Sequence, residues 1–224
     1  MPFIKAKEGP PAIGSTIYTV HYFDEDGNMV IRIDGSKAWR NNNPGNIIYH
    51  PRGFAMRHGA IGAAGGMAVF PDASTGRKAL SALLKTSEYQ KLSVSELPEK
   101  YDKHNAADYR RMLLSISKLD PNKLIKNLSN EEFEKLRIAI ERIEGWKEGK
   151  EDFIDKWYIT GVHKKRGVIT EYCVNQSGNS IWLVKQNAIQ ITLEGRLHAT
   201  IVHMKTGSMY LRPEHHNHSF IVIT

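Results

Sequence analysis

Apolar and polar residues first alternate along Ile17–Tyr22 and Met29–Ile33, with Asp24-Glu25-Asp26-Gly27-Asn28 between the two runs. A period of two marks a strand with one buried face, and a glycine-bearing polar loop between two such runs predicts an antiparallel β-hairpin. From Asp34 to Asp72 the periodicity is lost in a segment crowded with Asn, Gly, Pro and small apolar residues. It is too glycine-rich for long helices and too apolar for a linker. A loop-rich stretch of that size inside a globular domain points to function.

Helical spacing takes over after Asp72. Asp72 or Ser74 can cap a helix carrying Ala79, Leu80, Leu83 and Leu84, and Ser93-Val94-Ser95-Glu96 has capping-box spacing before a short helix. Ala106–Ser117 places Tyr109, Met112, Leu113 and Ile116 on one face. The last helix is the best defined: Ser129-Asn130-Glu131-Glu132 opens it, Phe133, Leu136, Ile140 and Ile143 form its apolar stripe, and Gly145 is a natural stop. The charged, glycine-bearing stretch Lys147–Asp155 then marks a boundary. Beyond it Trp157–Val162, Val168–Val174, Ser180–Val184, Leu197–Met204, Ser208–Leu211 and Phe220–Thr224 read as strands, while Gln186–Glu194 fits either a strand or a short helix ending at Gly195. The expected class is α+β: a mainly helical first domain, residues 1–150, opened by a β-hairpin, then a small β-rich domain, residues 151–224.

Composition narrows the function classes. The chain has 224 residues, 41% of them hydrophobic and 25% charged, as in ordinary globular proteins. No apolar run approaches the roughly 20 residues of a membrane-spanning helix, so no membrane insertion is expected. Cys173 is the single cysteine, which excludes an internal disulfide and a multi-cysteine metal site; in its strand pattern it reads as a small buried hydrophobe. The net charge of +7 favours a polyanionic partner such as nucleic acid, anionic lipid or an acidic cell-wall polymer. The excess lies mainly before Glu151 and lacks the basic, aromatic-interleaved stripe of a nucleic-acid binder, which disfavours nucleic acid. Met1–Gly14 has no apolar secretory core, so synthesis in the cytoplasm and export by another route are expected. His215-His216-Asn217-His218 crowds imidazoles on one loop without matched carboxylate or cysteine ligands, and neither a metal nor a cofactor is expected.

The candidate chemistry lies at Glu144 and in Arg40-Asn41-Asn42-Asn43-Pro44-Gly45-Asn46. At about 100° per residue, Glu144 falls at the edge of the apolar face of the last helix. It also sits in the last turn, where the negative end of the helix dipole opposes a second negative charge. Both effects raise the pKa of a carboxyl, the condition for donating a proton near neutral pH. The plain alternative packs its stem and leaves its head to solvent or to Arg137. Glu131, Glu132 and Glu134 suit the dipole at the other end, and Glu141 can pair with Arg137 one turn away. Asp72 is an N-cap or a second catalytic group. The four asparagines supply paired donors and acceptors that suit the amides and hydroxyls of a glycan, or else build a turn.

Trp39–Ile47, His58–Gly66, Phe70-Pro71-Asp72 leading to Thr75-Gly76-Arg77, and Ile140–Trp146 together resemble the lysozyme-like peptidoglycan hydrolase domains of bacterial type VI secretion effectors, and related asparagine-rich segments occur in phage virion lytic proteins. The resemblance covers about Tyr18–Gly149. It implies a muramidase that cuts the glycan strand between N-acetylmuramic acid and N-acetylglucosamine, with Glu144 and Asp72 catalytic and Arg40, Asn41, Asn42, Asn43, Asn46, Tyr49 and His58 binding substrate. Relatives often carry Tyr-Ala-Pro followed by Glu-Asn-Asp; here Tyr101-Asp102-Lys103-His104-Asn105 is shorter and lacks the proline and glutamate, so no catalytic acid is implied there. The resemblance further implies an antibacterial toxin carried out by a secretion machine, acting in the periplasm of a target cell and blocked by an immunity protein. Lys156 to Thr224 resembles a small bacterial domain family of unknown function. A lytic transglycosylase, or a non-catalytic module that binds cell wall or nucleic acid, are the alternatives.

Overall fold

The computed structural model describes residues 2–25, 27–154, 157–176, 179–213 and 221–224. Asp26 in the hairpin loop, Ser177-Gly178 in a later turn and the histidine tract at His215–His218 lie outside the described residues. The chain divides into two compact units, Met1–Glu25 with Val30–Asp152, and Asp26–Met29 with Phe153–Thr224.

The first unit is not mainly helical, and the expectation of a helical body with one hairpin is corrected. Among the described residues helix and strand take nearly equal shares, about 32% and 33% of the chain, and form two mixed sheets of six strands each beside the helices. The hairpin runs are strands β2 (Tyr18–Phe23) and β3 (Met29–Ile33), adjacent in a sheet that also holds β1 (Lys5–Pro11), β4 (Gly62–Ala64), β5 (Met67–Val69) and β6 (Lys150–Ile154) in the order β5-β4-β1-β2-β3-β6. The four additional strands carry no readable period. β1 buries only Ala6 and Gly9 of KAKEGPP, β4 and β5 have three residues each, and β6 is KEDFI. Their partners make them strands: β1 pairs antiparallel with β2 and parallel with β4.

Helices α1 (Lys37–Arg40) and α2 (Phe54–Arg57) are single turns; α3 (Ala73–Leu84) is longer, α4 (Ser87–Gln90) and α5 (Leu97–Tyr101) are again short, and α6 (Ala106–Ser117) and α7 (Asn130–Ile143) are long. The capping box of α7 forms, with Ser129 accepting from the Glu132 amide while the Glu132 carboxylate accepts from the Ser129 amide. Ser93 and Glu96 make the same reciprocal bonds in the turn just before α5. These helices close on Phe70, Leu80, Leu84, Leu113, Leu136 and Ile140, all fully buried, and a separate cluster is formed by Val20, Tyr22, Ala64 and Val69 of the sheet's own strands.

Among the described residues the second unit is one sheet and one helix. Its strands are β7 (Trp157–Lys165), β8 (Val168–Gln176), β9 (Asn179–Val184), β10 (Leu197–His203), β11 (Met209–Pro213) and β12 (Ile221–Ile223). The order is β11-β10-β7-β8-β9, and β7 divides one edge between β10 at Trp157–Tyr158 and β12 at Gly161–His163. The segment open to two readings is helix α8 (Lys185–Leu193), followed by Gly195 at φ +76°. Ala188 and Ile189 of α8 pack on Ile159, Tyr172, Val174 and Leu197. Cys173 is buried in β8.

Candidate active site

The asparagine-rich loop is built from inside the protein. Ser36 caps α1 by accepting from the Trp39 amide at 3.2 Å, and the chain then bends through Asn42 and Asn46 at φ +50° and +43°. Asparagine tolerates that left-handed backbone better than most residues. Asn41, Asn42 and Asn43 are 0%, 2% and 0% exposed. Asn41 donates to the Ala64 carbonyl at 2.9 Å, and Asn42 donates to the Phe70 and Pro71 carbonyls while accepting from Arg32 at 2.6 Å. Asn43 donates to the Ile47 and Ala68 carbonyls and accepts from the Ile47 amide. The expected sugar-binding surface is therefore corrected for these three: buried side chains bonded to the protein's own backbone hold the loop.

Two glycines permit this packing. A Cβ on Gly76 would lie 2.0 Å from the Asn42 carbonyl oxygen, and one on Gly45 would lie 2.8 Å from both the Leu80 side chain and the Tyr101 hydroxyl. The loop thus rests on α3 and α5 by backbone contact.

Asn46 differs from its neighbours. It is only half-buried, and its Nδ2 donates to Glu144 Oε2 at 2.8 Å. Glu144 caps the C-terminus of α7, and its other oxygen accepts from the Tyr109 hydroxyl of α6 at 2.9 Å. Tyr109 is buried and tilts against Tyr101 at 5.7 Å, and Tyr101 in turn donates to the Gly45 carbonyl at 2.6 Å. One carboxyl therefore joins the loop, α6 and α7, and Tyr101 ties α5 to the same cluster.

Burial raises the Glu144 carboxyl above its ordinary range despite the donors on Asn46 and Tyr109, which lower it; the charge of Asp102 adds to the rise and Lys37 opposes it. Tyr109 is raised as well, by burial first and then by Tyr101 and Glu144, so its hydroxyl keeps its proton and remains a donor. Glu141, one helical turn earlier, goes the other way. Burial would raise it, but hydrogen bonds and charge from Arg77 and Arg137 hold it below the usual carboxylate range. Arg137 spends its guanidinium on Glu141 and Glu134, so the contact with Glu144 considered from the sequence does not form.

Glu144 opens onto a cleft of about 270 Å³ shared with Ile143, Asp102, Asn105, Asp108, Tyr109 and Met112. Asp102 is half-buried and accepts from Asn105 Nδ2 at 3.3 Å, whereas Asp108 is exposed and pairs with Arg111. Asp102 is the residue that sequence reasoning passed over. Its only signal in the sequence is its place directly after Tyr101, in the polar segment Tyr101–Asn105.

The remaining candidates lie elsewhere. Asp72 is the exposed N-cap of α3, accepting from the Thr75 amide at 2.7 Å, and lines a different depression. Arg40 is 3% exposed, gives Nη1 to the Asp34 and Gly35 carbonyls and lies over the Tyr18 ring. His58 caps α2, with Nδ1 at 2.8 Å from the Phe54 carbonyl and its ring stacked on Phe54. Tyr49 packs against the helical core. Of the nine expected site residues, the structure joins Glu144 and Asn46 directly and places Asn41, Asn42 and Asn43 behind Asn46 as its support. Among the described residues no group of three or more His, Cys, Asp or Glu side chains is arranged to hold a metal ion. No family model matches the chain, and no curated protein is significantly similar to it.

Proposed function

We propose that this chain cleaves the peptidoglycan glycan strand between N-acetylmuramic acid and N-acetylglucosamine, with Glu144 as general acid. One observation carries the reading: a half-buried carboxyl of raised pKa, oriented through both oxygens by Asn46 and Tyr109, faces a cleft that contains a second carboxylate, Asp102. The resemblance of the Trp39–Ile47 and Ile140–Trp146 segments supplies the substrate class.

In this mechanism protonated Glu144 gives its proton to the bridging oxygen, which leaves as the free hydroxyl of N-acetylglucosamine. Positive charge grows at the anomeric carbon of muramic acid. Asp102 stabilises that charge and takes a proton from the attacking water. Asn46 and Tyr109 keep the acid aimed, and Asn105 fixes Asp102. The toxin's delivery by a secretion machine and its neutralisation by an immunity protein seated on the Glu144 cleft belong to the same proposal.

Purified sacculi incubated with the protein should release soluble muropeptides with reducing ends, identified by mass spectrometry. Glu144→Gln should lower that release by about 10²–10⁴, the usual loss when a positioned general acid is removed, without unfolding the chain. Products ending in 1,6-anhydromuramic acid would instead show attack by the sugar's own 6-hydroxyl, which needs Glu144 alone. Release at more than half the wild-type rate by the variant would remove Glu144 from the mechanism.

A further inference from the structure

The edge strand of an open sheet presents unpaired backbone N–H and C=O groups to any strand that can reach it, and proteins blunt such edges with short strands, charged side chains or proline. Among the described residues most edges of this chain are blunted in these ways. In the first sheet β5 has three residues, and β6 carries Lys150, Glu151 and Asp152. In the second, β11 has Arg212 and ends at Pro213, and β12 has three residues.

The exception is β9. It is six residues long, NSIWLV, with neither a charge nor a proline, and it stands last in the strand order. Its register with β8 runs without a bulge from Val184, opposite Glu171, to Ser180, opposite Asn175. The apolar side chains are uncovered as well: Ile181, Trp182 and Val184 are 44%, 41% and 50% exposed. Single exposed apolar residues are common, but three of them on one unprotected edge mark an interaction surface.

The occupant of this edge is a strand, since extended backbone is what matches a row of ladder donors and acceptors. Alternation sets what its side chains meet. Leu183 packs against the core beneath α8, so Ile181 shares that face, while Trp182 and Val184 take the other, with Trp182 in register with the buried Cys173. A second β9 laid antiparallel about Trp182 suits both faces. Ile181 of each copy then meets Leu183 of the other on one face, and the two Trp182 side chains meet on the opposite face, with Ser180 across from Val184 on either side of them. Lys185, the first charge beyond β9, falls opposite Asn179. Apolar residues thus meet apolar residues at the centre, and no like charges are opposed.

We propose that β9 is a dimerisation edge, through which two copies of this chain pair antiparallel with Trp182 at the two-fold axis and join their second sheets into one. A two-fold contact uses the same patch on both copies, which a self-complementary strand supplies. This gives the β-rich unit a role in assembly and does not depend on the glycan-cleaving reading.

Sedimentation velocity on the full chain between about 1 and 100 µM should show a concentration-dependent rise from the 25.4 kDa chain mass to twice that mass. Trp182→Lys removes the central aromatic pair and sets two ammonium groups against each other, so it should raise the dimer dissociation constant by at least about tenfold. If that variant fails to fold, paired substitutions at the exposed Ser180 and Val184 decide instead. Ser180→Lys with Val184→Glu brings opposite charges together across the axis and should keep the dimer, whereas Ser180→Lys with Val184→Lys opposes like charges and should split it. A chain that stays monomeric at every concentration, or a dimer equally tight in the wild type, Trp182→Lys and the double-lysine variant, would overturn the proposal. In the monomeric case, β9 amides that gain hydrogen-exchange protection only when a cell extract is added would give the edge to a foreign strand.

Discussion

Glu144 and Glu141 lie three residues apart on one helix and show how neighbours, rather than residue type, set the chemistry of a carboxyl. Two guanidiniums hold Glu141 charged, while the burial of Glu144 is offset mainly by the neutral donors of Asn46 and Tyr109, with a smaller opposing charge from Lys37. Removing one of those donors should raise the Glu144 pKa further, and removing the nearby charge of Asp102 should lower it. In carbon-13 carboxyl titrations, Tyr109→Phe should therefore move the Glu144 midpoint to higher pH and Asp102→Asn to lower pH; shifts in the same direction would contradict the assigned contacts. Stability follows with a definite sign. Since folding raises the pKa, the folded state binds this proton more tightly than the unfolded chain, and the stability contributed is complete below the unfolded carboxyl pKa of about 4.3 and lost as pH rises through the raised value. Glu144→Gln should gain in melting temperature on the wild type between acidic and neutral pH, measured by thermal scans across that window.

The loop from Arg40 to Asn46 is held by side chains that would otherwise serve a ligand. Asn43 bonds the Ile47 carbonyl, the Ala68 carbonyl and the Ile47 amide at once; the Ile47 carbonyl keeps the Ala68 amide as a donor, but Asn43→Ala takes the side-chain acceptor from the buried Ile47 amide, at about 1–3 kcal/mol. Its loss of activity should follow its loss of stability in denaturant unfolding. Asn46→Gly, which accepts the left-handed backbone at φ +43°, should instead depress digestion with little change in unfolding midpoint, because it removes the donor to Glu144 and leaves the bend intact. Gly76 tests the packing of the loop on α3. Helix propensity alone favours alanine over glycine by about 1 kcal/mol, but the 2.0 Å approach of the Asn42 carbonyl oxygen reverses the sign. Gly76→Ala should destabilise the protein; a stabilised variant would show that the loop yields easily.

The charged stretch from Lys147 is less a linker than its composition suggests. Lys147 donates its amide to Ser36 Oγ and accepts from the Ser36 amide, Glu151 pairs with Arg32, and β6 completes the edge of the first sheet beside β3. A chain ending at Ile154 should therefore fold and digest sacculi, whereas one ending at Gly149, which lacks β6 and Glu151, should melt at a lower temperature. Equal melting would make β6 dispensable. The cellular consequence of the proposed activity belongs to the whole molecule. Made in the cytoplasm the protein should be harmless, and directed to the periplasm by an attached signal peptide it should lyse the cell. Equal toxicity in both places would favour a cytoplasmic target such as nucleic acid.

Local spacing was enough wherever a segment's own residues meet each other. The capping box at Ser129, the apolar stripe of α7, the N-cap at Asp72, the pair of β2 and β3 and the position of Glu144 on its helix are contacts between residues a few places apart, and period and propensity encode them directly. β1, β4, β5 and β6 escaped notice because a strand of three residues, or one rich in charge, is made by its neighbours in the sheet. The asparagines were legible as unusual but not as buried, since the carbonyls they satisfy lie up to 29 residues away. Asp102 joined Glu144 for the same reason: the two are distant in sequence, and only the packing of α5, α6 and α7 encloses both carboxyls in one cleft.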